Sequence, residues 1–332
     1  MAILVTGGAG FIGSHTCVEL LEHGEEVVVV DNYYNSKPEV MERVKQITGK
    51  DFAVYELDVM DKDGLNQVFE QHQIEAVIHF AGYKAVPESV AKPIMYYHNN
   101  ITSTCILCEV MAAHGVKKLV FSSSATVYGV PKSVPITEDF PLATTNPYGT
   151  TKLMIEKILG DLQKSDEEWS IAVLRYFNPI GAHKSGLIGD DPNGIPLNLM
   201  PYITRVGAGI LPKLNIYGND YNTPDGTGVR DYIHVVDLSE GHVAAIDYLR
   251  KNQGIEYFNL GTGKGYSVLE IVHAYESATG ISIPYEIGPR RAGDIDECYA
   301  NPEKAARLLG WRAKKSLEEM CEDCARWQKS IK

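Results

Sequence analysis

The chain has 332 residues, of which 44% are hydrophobic and 22% charged, a composition typical of a globular protein with a sizeable core. Its formal net charge of -12 argues against nucleic acid or an anionic membrane as the main partner. No apolar run reaches the roughly 18 residues of a membrane span, and the N-terminus lacks a signal-peptide pattern, so we expect a cytoplasmic protein.

The N-terminal part of the chain, up to residue 176, alternates short apolar runs with longer amphipathic stretches. Runs rich in Val and Ile predict buried strands at 3–6, 26–30, 53–57, 76–80, 119–122 and 171–174. Helical periodicity falls between them, at 13–22, 38–47, 61–71, 96–113 and 148–163. This alternation predicts a parallel, doubly wound α/β sheet of the Rossmann type, whose ligands bind at the carboxyl ends of the strands.

The pattern is looser in the C-terminal part. Two stretches, 178–200 and 218–228, are rich in Gly, Pro and Asn, and we predict that they are functional loops. Helices are predicted at 235–251, 268–279, 302–309 and 317–328, and strands at 257–260 and 283–287. We therefore expect a Rossmann domain over 1–176, rejoined by a segment near 232–260, and a smaller, mixed α/β substrate-binding domain over 177–332.

A glycine-rich motif, TGGAGFIG at residues 6–13, joins the first predicted strand to the first helix. Its glycines, Gly7, Gly10 and Gly13, allow a tight turn and a close backbone approach to a pyrophosphate. The helix N-terminus adds N–H donors and the positive end of the helix dipole. The spacing is G-x-x-G-x-x-G, not the G-x-G-x-x-G of simple dehydrogenases, but its context of strand before and helix after indicates a dinucleotide site.

Residues at the ends of later strands extend this predicted site. Asp31 follows the second strand, where a carboxylate can accept hydrogen bonds from an adenosine ribose and would repel a 2′-phosphate. No Arg occurs in 32–36, so NAD is favoured over NADP. Asp58 is predicted to end the third strand beside the adenine edge. The small residues of Phe80-Ala81-Gly82 would let the cofactor lie close to the end of the fourth strand.

A candidate redox centre begins the helix at 148–163. Tyr148 and Lys152 are four residues apart and share one helix face. A free phenol has a pKa near 10, so Tyr148 needs help to act as a base at pH 7. A nearby ammonium and a positive nicotinamide ring both favour the phenolate, and a pKa lowered by about 3 units corresponds to roughly 4 kcal/mol. The serine-rich run at 121–129 ends the fifth strand and can supply a hydroxyl to the reacting oxygen.

Cysteines occur twice with C-x-x-C spacing, at Cys105 and Cys108 and at Cys321 and Cys324. This spacing can indicate zinc or redox chemistry. Both pairs lie in predicted helices far apart in the sequence, so we interpret them as reduced thiols on helix faces. No metal site is expected.

Taken together, the segments 5–15, 79–89, 121–129, 174–182 and 226–235 resemble the extended short-chain dehydrogenase/reductase superfamily, and the resemblance runs essentially end to end. It implies an NAD-dependent isomerase of galactose metabolism that interconverts UDP-glucose and UDP-galactose. Inversion at C4 would pass through a 4-keto sugar, with the cofactor regenerated in each cycle. Tyr148 is implied as the base, Lys152 as the group that tunes it and binds NAD, and Ser124 as a partner of the same hydroxyl.

The resemblance also implies which residues contact the ligands. The implied NAD contacts, besides the motif glycines, Ala81, Gly82 and the catalytic residues, are Phe11, Ile12, Asp31, Asn32, Asn35, Ser36, Asp58, Val59, Phe80, Lys84, Asn99 and Phe177. The implied UDP-sugar contacts, besides Lys84, Ser124 and Tyr148, are Asn178, Asn198, Leu199, Tyr217, Arg230, Arg291 and Asp294. Arg230 and Arg291 suit a diphosphate because a guanidinium binds phosphate in a bidentate fork.

Substrate range is expected to depend on Cys298, which aligns with a position near the C2 substituent of the sugar. Some superfamily members have a bulky Tyr there and favour plain hexoses. A small Cys leaves volume for an N-acetyl group, so we predict that UDP-GlcNAc and UDP-GalNAc are also interconverted. The resemblance further implies a homodimer, which could pair through the helices at 96–113 and 148–163.

Two alternatives remain open at this stage. A sugar-nucleotide 4,6-dehydratase would need an acid–base pair beside the catalytic hydroxyl, whereas residues 124–126 are Ser, Ala and Thr. A non-catalytic NAD sensor of the same fold would have no use for the complete set of Ser124, Tyr148 and Lys152.

Overall fold

A computed structural model of the protein describes residues 1–192, 196, 198–291 and 294–331. Strands and helices alternate through the N-terminal half. In chain order they are β1 (Ala2–Thr6), α1 (Phe11–Glu22), β2 (Glu26–Asp31), α2 (Glu39–Thr48), β3 (Ala53–Glu56), α3 (Lys62–Gln71), β4 (Ile74–His79), α4 (Val86–Ala91), α5 (Pro93–Ala113), β5 (Lys118–Ser124), α6 (Pro147–Ser165) and β6 (Ser170–Tyr176). A 3₁₀ turn, Ala125–Tyr128, follows β5 directly.

The second half has shorter strands and a less regular order. Its elements are β7 (Asn178–Ile180), α7 (Leu199–Gly207), β8 (Leu214–Tyr217), β9 (Val229–Arg230), β10 (Tyr232–His234), α8 (Val235–Leu249), β11 (Gly254–Leu260), β12 (Tyr266–Ser267), α9 (Val268–Thr279), β13 (Tyr285–Gly288), β14 (Glu297–Cys298), α10 (Glu303–Leu309) and α11 (Leu317–Ser330).

Seven parallel strands form the central sheet, in the order β3-β2-β1-β4-β5-β6-β11. The N-terminal strands are present as predicted, with ends that differ by one or two residues. All of β1 is buried, and so is β2 after its first residue, because helices cover both faces of the sheet. The expected Rossmann-type, doubly wound architecture is therefore confirmed, and the ends of β1, β2, β4 and β5 meet along one edge.

Two apolar layers hold the helices to the sheet. On one face, Val18 of α1 and Ile246 of α8 belong to the same buried cluster as Val29 of β2. On the other face, Leu107 of α5 and Leu159 of α6 pack in a second cluster. The chain thus returns to the sheet through α8 and β11, and β11 pairs with β6 along its whole length.

The remaining C-terminal elements surround a separate core. Helices α7, α9 and α11 contribute Ile203, Tyr275 and Met320 to it, beside three small sheets, β7-β10, β9-β12-β14 and β8-β13. The prediction of an unbroken loop over 178–200 is wrong, because β7 and the start of α7 lie within it. The strand predicted at 283–287 is present as β13, at 285–288. Its bounds differ from the prediction because these four residues are the ones that pair with β8.

The cysteines with C-x-x-C spacing lie on α5 and α11, as predicted, and are free thiols. Across the described residues, no cluster of His, Cys, Asp and Glu has the arrangement of a metal site. Among the helices described, none combines the length and the apolar character needed to cross a membrane.

Candidate active site

A single cavity of about 1910 Å³ runs along the carboxyl edge of the sheet and into the C-terminal region. Every residue assigned from the sequence to catalysis, cofactor or substrate lines it. They come from both halves of the chain, from Gly7 in the loop after β1 to Cys298 in β14. Folding therefore brings the whole predicted set together, and the local geometry shows what each part can do.

The glycine-rich loop between β1 and α1 is tightly packed. Gly7 has a φ of +71°, and a Cβ there would lie 2.7 Å from the Ala81 nitrogen. A Cβ at Gly13 would lie 2.3 Å from the Gly7 carbonyl oxygen. Within the described chain no side chain caps the start of α1, and Gly10, Phe11 and Ile12 at this start line the cavity. The loop leaves room for a phosphate against a helix N-terminus.

Asp31 is the last residue of β2 and organises two loops at once. Its carboxylate accepts a hydrogen bond from the Ala9 N–H at 2.9 Å, and others from the Tyr33 N–H at 2.8 Å and the Ser36 hydroxyl at 2.9 Å. A carboxylate has about four lone-pair sites, so acceptor capacity remains for a ribose diol. Asp58 lies two residues beyond the end of β3, not at it, and accepts a 2.9 Å bond from the Asn32 amide.

The end of β4 turns sharply under the same cavity. Both the Phe80 and Ala81 N–H groups donate to the Thr6 carbonyl, at 3.0 and 3.1 Å. The Asn100 side chain then holds the next turn through the Tyr83 N–H at 2.8 Å. These bonds fix the backbone of 80–83 close to the glycine-rich loop, where the sequence placed the cofactor.

Helix α6, which carries Tyr148 and Lys152, starts at the cavity because Asn146 caps it and Pro147 takes its first position. The Asn146 side chain accepts from the Gly149 N–H at 2.8 Å. Tyr148 is therefore in the first turn, 8% exposed, and Lys152 follows one turn later, 5% exposed. The Lys152 ammonium donates to the Ser122 carbonyl at 2.8 Å and lies 5.9 Å from the Tyr148 ring centroid.

Burial shifts the pKa values of both Tyr148 and Lys152. Burial raises the pKa of Tyr148, and a hydrogen bond with Ser124 only partly opposes that rise. Burial also lowers the pKa of Lys152 to about 8, opposed by the nearby Glu156 carboxylate. Among the protein's own groups, burial outweighs the hydrogen bond from Ser124. The lowered Tyr148 pKa expected from the sequence involves two cations, Lys152 and the bound nicotinamide ring, and stays a prediction.

Sequence reasoning missed Tyr176, which ends β6 beneath the redox centre. Its hydroxyl accepts a hydrogen bond from Ser122 at 3.0 Å, and burial raises its pKa to about 12. Outside the cavity lining, His79 ends β4, and its ring hydrogen-bonds Thr6 at 2.7 Å and Thr104 at 2.9 Å. These residues sit at strand ends, and that position is the only sequence feature that could have indicated them.

At the opposite end of the cavity, two guanidinium groups converge on one carboxylate. Arg230 on β9 binds Asp294 at 2.5 Å, and Arg291 binds the other oxygen of Asp294 at 3.1 Å. The Arg291 guanidinium also lies over the Tyr217 ring, 5.0 Å from its centroid. Tyr221, which the sequence analysis missed, donates to Asp294 at 3.4 Å. Two guanidinium groups thus share this one carboxylate.

Cys298 lines the cavity between Arg230 and the residues around Tyr148. It lies on β14, directly beside Arg230 of β9 in the parallel register. Its side chain packs on a small cluster that includes Phe177 and Tyr128, and burial raises the pKa of the thiol to about 11. It is therefore a neutral, small side chain at the cavity wall.

Comparison with known proteins shows the family to which the chain belongs. A family profile described as GDP-mannose 4,6 dehydratase matches residues 4–324. UDP-glucose 4-epimerase of Bacillus subtilis (strain 168) is 64% identical over 330 residues, covering 99% of this chain and 97% of the relative. The chain belongs to the UDP-glucose 4-epimerase family. The profile, although described by a dehydratase, is consistent with the extended short-chain dehydrogenase/reductase superfamily.

Solved structures of UDP-glucose 4-epimerases have the same fold. The enzyme of Bifidobacterium longum, in complex with NAD+ and UDP, superposes with a TM-score of 0.97 at 57% identity, covering 99% of this chain and 98% of that one. The UDP-Glc/GlcNAc 4-epimerase of Campylobacter jejuni superposes with a TM-score of 0.86 at 38% identity, covering 99% of each chain. The family thus includes epimerases of both plain and N-acetylated UDP-hexoses.

Proposed function

We propose that the protein interconverts UDP-glucose and UDP-galactose by inverting C4 through a 4-keto sugar, with NAD as its cofactor. The observation that carries the proposal is the convergence of Ser124, Tyr148 and Lys152 in a cavity that also holds the glycine-rich loop. A hydroxyl-binding base beside a dinucleotide site is suited to oxidise a secondary alcohol and to reduce the resulting ketone again.

The residues of the cleft fit NAD. The glycine-rich loop at the start of α1 suits the pyrophosphate, because neither Gly7 nor Gly13 has space for a side chain. The buried Asp31 carboxylate suits the adenosine ribose and would repel the additional phosphate of NADP. Lys84, Asn99 and Phe177 would complete the nicotinamide end.

The chain's own residues then perform the proton transfers. Tyr148 would take the proton of the sugar 4-hydroxyl, and Ser124 would bind the same oxygen. When bound, NAD supplies the hydride acceptor and donor at C4, together with a positive ring that favours the Tyr148 phenolate. Lys152 is placed to add its own positive charge, since its ammonium is anchored on the Ser122 carbonyl within reach of the ring.

The other end of the cavity would hold the nucleotide while the sugar turns over. Arg230 and Arg291 are the diphosphate ligands in this proposal, with Asp294 orienting both guanidinium groups. The remaining UDP-sugar contacts would come from Asn178, Asn198, Leu199 and Tyr217, at the ends of short strands and of α7. With the diphosphate fixed, the 4-keto sugar can present either face to the redox centre.

A 4,6-dehydratase needs a second acid–base group next to the hydroxyl that binds the sugar. In this chain the residues that follow Ser124 are Ala125 and Thr126, which form the 3₁₀ turn and carry no carboxylate. The complete Ser124, Tyr148 and Lys152 set likewise disfavours a non-catalytic NAD sensor.

We also propose that UDP-GlcNAc and UDP-GalNAc are substrates. Cys298 is small, neutral and at the cavity wall between the redox centre and Arg230. A Tyr in its place would fill the volume that an N-acetyl group needs. The similarity to an epimerase that acts on both substrate classes supports this proposal.

The proposed assembly is a homodimer that pairs α5 and α6 with their copies. Ile94 on α5 is 77% exposed and Met154 on α6 is 42% exposed, although both are apolar. Helix pairs of this kind can associate as a four-helix bundle. We further propose that 1–176 and the returning segment near 232–260 act as the NAD domain, and the rest of 177–332 as the UDP-sugar domain.

The proposed function is tested by incubating the purified protein with UDP-galactose, UDP-GalNAc or UDP-glucuronate, without added NAD. We expect the 4-epimers of the first two to form, with no steady growth of nicotinamide absorbance. A steady growth of that absorbance, or loss of water from the sugar, would replace this proposal with a dehydrogenase or a dehydratase.

A further inference from the structure

A buried ion pair lies directly behind the redox centre. The Arg175 side chain of β6 is 3% exposed and the Glu156 side chain of α6 is 2% exposed. Their contact is bidentate, with Arg175 Nη2 at 2.7 Å from Glu156 Oε2 and Nε at 3.0 Å from Oε1. Neither residue lines the cavity, so the pair serves neither ligand directly.

The Glu156 carboxylate connects the catalytic helix to the end of β5. The Ser123 hydroxyl donates to its Oε1 at 2.6 Å. Ser123 lies between Ser122, whose carbonyl holds the Lys152 ammonium at 2.8 Å, and the hydroxyl residue Ser124. Glu156 is also one helical turn after Lys152, on the same face of α6.

Arg175 extends the same network to the turn that follows Ser124. Its Nη1 donates to the Tyr128 hydroxyl at 3.0 Å and to the Glu138 carbonyl at 3.1 Å. Tyr128 in turn donates to the Asn259 side chain of β11 at 2.7 Å. The ends of β5, β6 and β11 are thereby bound to the middle of α6.

Packing alone does not explain this pair. Two charges removed from water carry a large desolvation penalty, and apolar residues of similar volume are often at least as stabilising. Ser123 donates a hydrogen bond to the Glu156 carboxylate, and the Tyr128 hydroxyl accepts one from Arg175, so both charges are satisfied in fixed directions.

We propose that Glu156, held by Arg175, is a positioning residue for the reaction: it fixes the strand end that carries Ser122 and Ser124 against the catalytic helix that carries Tyr148 and Lys152. The inference rests on the proposed epimerase function. It adds a role for Glu156, a residue that contacts neither substrate nor cofactor.

The charge of Glu156 gives the proposal a distinct signature. Its carboxylate raises the pKa of Lys152 against the burial that lowers it. Other titratable groups around the ion pair and the redox centre include Arg175 and Tyr176 of β6, His79 of β4, Tyr96 of α5, Tyr128, Tyr257 of β11 and Tyr148 itself. Loss of the carboxylate leaves Lys152 with less positive charge near neutral pH, so Tyr148 ionises less readily.

The test compares Glu156→Gln with Glu156→Asp and with Leu159→Ala, a buried change on the same helix outside the ion pair. For Glu156→Gln we expect kcat for UDP-galactose to fall at least about tenfold with little change in KM, and the acidic limb of the kcat profile to move to higher pH. Glu156→Asp keeps the charge and should keep the acidic limb. Leu159→Ala should lower thermal stability and leave the acidic limb in place.

Other outcomes overturn the inference. An unchanged kcat and pH profile in Glu156→Gln would contradict it. An equal shift of the acidic limb in Leu159→Ala would also contradict it. If Glu156→Gln does not fold, Ser123→Ala removes only the hydroxyl contact, and an unchanged kcat there contradicts the proposal.

A readout without turnover separates this inference from the proposed function. Ultraviolet difference titration of the purified holoenzyme against its Tyr148→Phe variant reports the ionisation of Tyr148 alone. A shift of that ionisation to higher pH in the Glu156→Gln background supports the role of Glu156 even if no epimerisation occurs, and an unchanged titration rejects it. A wild-type protein inactive on every UDP-hexose would reject the proposed function instead.

Discussion

At the redox end of the cleft, Tyr148 and Lys152 are 8% and 5% exposed, and their environment is a closed hydrogen-bond network. At the phosphate end, the Arg291 side chain is 58% exposed, and the side chains of Arg230 and Asp294 are 18% and 19% exposed. A buried base keeps a fixed geometry at a cost in desolvation, whereas the exposed Arg291 guanidinium is screened by water and can follow a mobile ligand. Substitutions at the first end should therefore change the rate of reaction, and those at the second should change binding.

The largest expected effect is at Tyr148. Tyr148→Phe removes the only proposed proton acceptor while leaving the ring in its buried position, so kcat for UDP-galactose should fall by about 10³-fold or more. KM should change little, because the phosphate end is intact. The exposed Tyr285→Phe serves as the matched control and should be fully active. A Tyr148→Phe enzyme with wild-type kcat would remove the redox end from the mechanism.

Burial in the Rossmann half also predicts sensitivity to acid. Burial lowers the pKa of His15 and His79 to about 3 and of His242 to about 4. These pKa values are depressed below the unfolded value, so the unfolded state binds more protons as pH falls below 6.5, and stability is lost. Between pH 7 and 5 the free energy of unfolding should fall by about 2 kcal/mol for each histidine.

Denaturant unfolding at several pH values measures that loss. His242→Gln should remove the His242 contribution of about 2 kcal/mol between pH 7 and 5, while those of His15 and His79 remain. Equal unfolding free energies at pH 7 and pH 5 would show that these histidines are not buried in the neutral form.

At the phosphate end, Arg230→Ala should raise KM for UDP-galactose by about 30-fold, which corresponds to the loss of one charge-assisted contact of about 2 kcal/mol. We expect kcat at saturation to stay within a few-fold of the wild-type value. Arg312→Ala is a suitable control, since Arg312 pairs with Glu303 and does not line the cavity. A fall in kcat without a change in KM for Arg230→Ala would contradict the division into an end that sets the rate and an end that sets binding.

The smallest effect concerns substrate choice between the two ends. Cys298→Tyr should lower kcat/KM for UDP-GalNAc by about tenfold or more through steric exclusion, and that for UDP-galactose much less. Cys298→Ser keeps the volume and should keep both activities. Equal losses on both substrates would place Cys298 in general packing and not in selectivity.

The same contrast explains what sequence could predict. The redox end depends on β1, β4, β5 and α6, whose continuous apolar runs and Asn146-Pro147 helix start are local features. The short strands of the phosphate end are not local: β9 has two residues and finds its partners in β12 and β14. Pro201 and Gly207 weaken the helical pattern of α7, and no helix was predicted there.

The chemistry was less predictable than the positions. The sequence places Lys152 one turn from Tyr148, but the direction of the Tyr148 pKa depends on burial, which a motif does not report. Likewise, Glu156 and Arg175 are ordinary charged residues in the sequence. Only the fold shows that they face each other behind the redox centre.

The central claim is that oxidation and reduction occur at the same carbon with no net redox change. It is tested most directly by giving the enzyme UDP-galactose labelled with deuterium at C4 and analysing the product by mass spectrometry and NMR. The account predicts UDP-glucose that retains the deuterium at C4, with no label in water. Loss of the label to solvent, or its retention at C4 only in unreacted substrate, would contradict it.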